Sequence, residues 1–157
     1  MKNPIRQIKT TGIVASLFFL MLTSLHVQTQ QKAAKNMIPK EEISFKNSSW
    51  KEVTAEAMKS GKYIFVDAYT SWCGPCKLLK STTFKDKTAA AYFNKNFINY
   101  TVDMEKGEGI QLAKEWMINS YPSLIFFKPD GKMALKQIGY VDGKNLIELG
   151  QQAIAKK

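Results

Sequence analysis

The chain has two cysteines, Cys73 and Cys76, with only Gly74-Pro75 between them. A disulfide joining them closes a loop too small to staple a fold, so a hydrophobic core must hold this chain together. Directly before them runs Tyr63–Tyr69 (YIFVDAY), a short apolar stretch rich in β-formers that reads as a buried central strand. Directly after them Leu78 and Leu79 stand at helical positions, and Pro75 suits the first turn of a helix, where its missing N–H costs nothing. The pair therefore sits at a strand-to-helix junction, with Cys73 at the helix N-terminus. Free backbone N–H groups and the positive end of the helix dipole favour a thiolate there, which makes Cys73 the expected attacking sulfur. Cys76 lies one turn further on, within reach to resolve a mixed disulfide, and such exchange needs no other cofactor.

The rest of the chain supplies elements to build around that junction. Ser49-x-x-Glu52 is a capping box ahead of Trp50, Val53, Ala57 and Met58, which share one helical face, and Gly61 ends that helix. Lys87 to Asn94 is expected to be helical, Phe97 to Val102 a strand, and Gly109 to Met117 a helix with Ile110, Ala113 and Trp116-Met117 inward. Ser123 to Phe127 and Met133 to Ile138 read as strands of a hairpin around Pro129-Asp130-Gly131, and Asp142 caps a last helix. The order mixes crossovers with one hairpin. It predicts an α/β fold, a central mixed β-sheet with helices on both faces.

The 157 residues accommodate one such domain, expected over 43–157. Lys2, Arg6 and Lys9 precede an apolar run from Gly12 to Leu25, short for a membrane span and right for a signal segment. Residues 1–29 are accordingly expected to be a signal peptide cleaved within 27–34, and 30–42 a polar linker. An uncleaved segment would instead tether the domain to the membrane. Either way the domain is expected in the periplasm or cell envelope.

Removing residues 1–29 takes away three positive charges and no acidic ones, so Lys+Arg falls from 23 to 20 against 13 Asp+Glu, leaving +7. It also removes the only histidine, His26, and the only arginine, Arg6. A domain with neither has no Ser-His-Asp or Cys-His site and no histidine metal ligand. With two cysteines it also lacks four ligands for a structural zinc, so no metal is expected. Without arginine or an interleaved basic–aromatic patch, nucleic acid is not an expected partner either. The lysines are read as a solvated surface, or as an attraction to an anionic envelope surface or acidic partner.

Asp67, Trp72, Cys73-Gly74-Pro75-Cys76-Lys77 and Tyr121-Pro122-Ser123 together resemble the thioredoxin family. The likeness runs from about residue 45 to 157 and implies a thioredoxin-like fold. Trp50, Gly61-Lys62, Phe84 and Val102-Asp103 extend it to exported thioredoxin-like domains similar to the C-terminal domain of membrane thiol:disulfide interchange proteins. The resemblance implies roles residue by residue. Cys73 is the nucleophile and Cys76 the resolving thiol. Asp67 is a buried carboxylate that helps deprotonate Cys76, in keeping with the raised pKa expected of a lone acid inside an apolar strand. Pro122 matches a cis-proline whose flanking backbone, with Tyr121, pairs with an extended substrate strand, and Trp72, Gly74 and Pro75 border the same docking surface. The implied activity is protein-disulfide reduction without a cofactor. Disulfide-containing exported proteins are the clients, a membrane thiol protein donates electrons, and a monomer is the expected state. An oxidase or isomerase, or a redox-independent peptide-binding or assembly factor, are the alternatives. One departure stands out: the family commonly places a lysine near the buried Asp, and Asn99 occupies that place here. Without that cation, the Asp67 pKa is expected to be set more by desolvation alone. Glu105 to Asn119 reads as a longer helix and loop or a partner surface, with Met104, Trp116 and Met117 as core fillers.

Overall fold

The computed structural model describes residues 41–156. The expected signal peptide and nearly all of the expected linker lie outside the described residues. Eleven elements follow in order: β1 (Phe45–Lys46), α1 (Trp50–Ser60), β2 (Tyr63–Tyr69), α2 (Gly74–Ser81), a 3-10 turn (Thr83–Lys85), α3 (Lys87–Asn96), β3 (Phe97–Asp103), α4 (Gly109–Glu115), β4 (Ser123–Phe127), β5 (Met133–Ile138) and α5 (Gly143–Ala155). They form one five-stranded sheet in the order β1-β3-β2-β4-β5. β1, β3 and β2 run parallel, while β4 is antiparallel to both β2 and β5. The mixed sheet with helices on both faces is the expected architecture. The two-residue strand β1 and the 3-10 turn are additions that are too short to leave a periodic signal.

Local chemistry starts and stops the helices. Ser49 and Glu52 form the reciprocal capping box of α1, and Gly61 closes it at φ 69°, a left-handed conformation that glycine adopts without a Cβ clash. Asp86 caps α3 through Ala89 N–H, and Asp142 caps α5 through Asn145 N–H.

β2 is buried along Ile64–Ala68, and its side chains alternate between two cores. Ile64, Val66 and Ala68 join Val53, Ala57, Tyr100, Leu112, Trp116 and Phe127 on one face. Trp50 packs there, its ring centroid 4.8 Å from that of Trp116 and 4.9 Å from that of Phe127. On the other face Phe65 meets Leu79, Phe84, Phe93, Phe97, Leu124, Phe126 and Leu146 beneath α2, α3 and α5. Each such side chain, fully withdrawn from water, stabilises the fold by roughly 1.5–3 kcal/mol.

Three expected core residues are exposed. Met58 is 70% exposed on the outer side of α1, and Ile110 is half exposed. Met117 is 78% exposed because α4 ends at Glu115 and Met117 turns out at φ 51°, so the helix does not extend to Met117 as expected. Met104 and Trp116, by contrast, are buried.

Candidate active site

Cys73 and Cys76 are joined by a disulfide with Cα atoms 5.3 Å apart. Cys73 is the N-cap of α2, with Pro75 in the first turn, so the junction read from the sequence is present in space. The Cys76 backbone N–H donates to Cys73 Sγ at 3.1 Å. That donor is one of the free N–H groups at the head of the helix, and in the reduced protein it would stabilise negative charge on the same sulfur. Both cysteines are almost fully covered in the oxidised state.

Asp67 lies under this helix because strand alternation puts it on the same face as Phe65, toward α2. It is in register with Thr101 of β3 on one side and Leu124 of β4 on the other. Thr101 Oγ1 donates to Asp67 Oδ2 at 3.0 Å, while Oδ1 is buried without a hydrogen-bond partner among the described residues. Burial pushes the Asp67 carboxyl up to about 6, against the opposing pull of the Lys80 ammonium and the Thr101 hydrogen bond.

Desolvation is the largest influence, as expected, but the Lys80 ammonium supplies a cation that the sequence left unplaced. Asn99, in the place where the family commonly has a lysine, instead donates from Nδ2 to Ser44 O and Asn94 Oδ1 and ties β3 to its neighbours. The cation comes from α2, where Lys80 lies one turn beyond Cys76 with its Nζ 3.2 Å from the Tyr69 ring centroid. The i,i+4 spacing from Cys76 was a readable signal for this placement. Thr101 could be found only from strand register.

The Tyr121–Pro122 bond is cis. Pro122 O accepts from Gly139 N–H at 2.9 Å, which ties the start of β4 to the end of β5. Trp72 is 65% exposed, with its ring edge-on to Tyr121 at 6.0 Å. Its indole Nε1 donates to both carboxylate oxygens of Glu105 at 3.0 Å, which fixes the ring. Glu105 is a site residue with no signal in the sequence beyond its place at the start of the Glu105 to Asn119 segment. Gly74 and Pro75 are exposed at the helix head, next to Trp72. Among the described residues, no cluster of three or more His, Cys, Asp or Glu side chains is placed to hold a metal ion.

A dithiol–disulfide pair at a helix N-terminus, on a mixed sheet with a buried carboxylate beneath it, is the arrangement of a thiol:disulfide oxidoreductase of the thioredoxin type. The family defined as the thioredoxin-like domain matches residues 50–154, and the chain belongs to that family. Thioredoxin from Mycoplasmoides gallisepticum is 36% identical over 94 residues, 60% of this chain and 87% of that protein. Thiol:disulfide interchange protein DsbD from Campylobacter jejuni is 31% identical over 102 residues, 64% of this chain but only 18% of that protein. A Bacteroides thetaiotaomicron protein, solved in solution under a provisional disulphide-isomerase name, superposes with a TM-score of 0.65 at 37% identity. That match covers 74% of this chain and 96% of the solved one.

Proposed function

We propose that this protein is an exported protein-disulfide reductase. The observation that carries the direction is the Gly74-Pro75 dipeptide enclosed by the two cysteines, the pairing of reducing thioredoxins, whereas oxidants and isomerases usually have His or Tyr there. In the reduced protein the Cys73 thiolate attacks a client disulfide, forming a Cys73–client bond and releasing one client thiolate. Cys76 passes its proton to Asp67, and its thiolate attacks Cys73 Sγ. The mixed bond breaks, the second client sulfur leaves and takes up a proton, and the Cys73–Cys76 disulfide is restored. Two electrons have moved to the client. Trp72, Tyr121 and Pro122, with Gly74 and Pro75, border the surface on which an extended client strand docks.

The charged and apolar pattern of residues 1–25 supports export, with a cleaved signal or a membrane tether as the two forms. An oxidising envelope holds no glutathione buffer, so the spent disulfide requires a dithiol protein in the membrane as its electron donor. Similarity to part of a thiol:disulfide interchange protein supports that place in the chain of transfer.

The test is the reduction potential of the Cys73–Cys76 couple in the protein lacking residues 1–29. A value near the roughly −270 mV of thioredoxin supports the reductase. A value of about −120 to −180 mV replaces it with an oxidase or isomerase, the reading that the name of the Bacteroides relative favours. A pair that cannot be cycled leaves a redox-independent binding factor.

A further inference from the structure

Lys80 and Thr101 line one cleft of about 250 Å³, whose other walls are Glu42, Ile43, Phe45 and Phe84. From that wall the Thr101 hydroxyl reaches Asp67 Oδ2, so the cleft comes within one side chain of the buried carboxylate. Lys80 is not a free surface lysine. Its ammonium is seated on the ring of Tyr69, and Tyr69 is two residues after Asp67 on the same face of β2. The cation is thereby held on the side of the sheet where Asp67 lies, on a wall of the cleft. The carboxylate Oδ1 lacks a partner of its own among the described residues, which leaves the charge of Asp67 to be balanced from a distance.

We propose that Lys80 is a positioning residue of the proton-transfer step: seated on Tyr69, it keeps a cation on the wall of the cleft that Thr101 also lines, and so biases the Asp67 carboxylate toward its proton-accepting form. The proposal deepens the reductase reading and rests on Asp67 accepting the Cys76 proton. The other groups around Asp67 do not supply this cation. From α2 the cysteines are silent in the disulfide. From β4 the facing residue is the apolar Leu124, and β3 presents Thr101, with Asp103 further along paired to Lys106 at 3.1 Å. Glu42, on the cleft wall, carries the opposite sign. In the cycle, Asp67 takes one proton from Cys76 and returns one to water, and the ammonium favours the return.

The experiment is a carbon-13 carboxyl NMR titration of Asp67 in the oxidised protein, where no thiol titrates, for the wild type, Lys80→Gln and Lys80→Arg. Lys80→Gln is expected to raise the Asp67 midpoint by about half a unit to one unit. Lys80→Arg is expected to restore it, and the Lys80→Gln shift is expected to shrink in molar salt, because Lys80 is exposed. The acid limb of the disulfide-reduction pH profile should move with the midpoint. An unmoved midpoint in Lys80→Gln overturns the proposal while leaving the role of Asp67 intact. A reduction rate indifferent to Asp67→Asn at every pH removes Asp67 from the mechanism and the proposal with it. The two failures are therefore distinct.

Discussion

Replacing Asp67 by Asn removes the only buried acid among the described residues, and its effect on stability should depend on pH in a defined way. The carboxyl titrates at 3.8 in the unfolded chain and at about 6 in the fold, pushed up chiefly by burial. Between those values the folded state binds more proton than the unfolded state. Stability therefore falls as pH rises through this window, and the full penalty applies above it. The gap of about two pKa units corresponds to about 3 kcal/mol at most. Between about pH 4 and about pH 7.5 linkage assigns about 2 kcal/mol of that loss to this one side chain. Asn has no such titration. It also orphans an amide N–H where Oδ1 lies, a constant cost of about 1–3 kcal/mol that does not vary with pH. The informative quantity is thus the change with pH of the stability difference between variant and wild type. Urea unfolding of both oxidised proteins at the two pH values measures it, and all other carboxylates cancel. The variant should gain about 2 kcal/mol relative to wild type on going from the acid to the neutral condition. A difference that stays flat to within about 0.5 kcal/mol would show that burial does not raise the Asp67 pKa in the fold.

Other outcomes follow from single residues. Cys76→Ser should trap mixed disulfides with envelope proteins through Cys73, detectable as adducts released by reductant, and recovery of none would count against the reductase. Phe93→Ala should cost about 3–5 kcal/mol in denaturant unfolding, because Phe93 is fully buried against the rings of Phe65, Phe97 and Phe126. A cost below about 1 kcal/mol would mean that this core collapses around the cavity. Gly109→Ala should lower the melting temperature and shift the NMR signals of Asp103–Glu105, because a Cβ at Gly109 would overlap the Asp103 carbonyl, which is backbone and cannot swing aside. An unshifted spectrum would show that the loop has room that the structure does not contain.

The spacing of residues along the chain already carried most of the dithiol. Cys73, Pro75 and Cys76 are local: strand end, helix cap and first turn are set by neighbours in sequence, so their geometry was legible there. Asp67 was legible as an acid in an apolar strand, since alternation and burial are properties of that strand alone. What escaped were pairings across the sheet and between layers. Thr101 reaches Asp67 only because β2 and β3 align Asp67 with Thr101, and register is a property of two strands together. Glu105 holds Trp72 only because the loop after β3 returns to the head of α2. Met117 looked like core by helical period, yet α4 stops two residues short of it, because Met117 adopts a left-handed φ. Lys80 stood in the sequence as one surface lysine among many, while Asn99 suggested that the buried acid had no cation. Sequence alone determined the sulfur chemistry, the buried acid and the class of fold, because each follows from local order and periodicity. Tertiary structure decided which charges the acid meets, because Coulomb interactions act across space, and the fold brought a lysine from the cysteine helix to the side of the sheet where the acid lies.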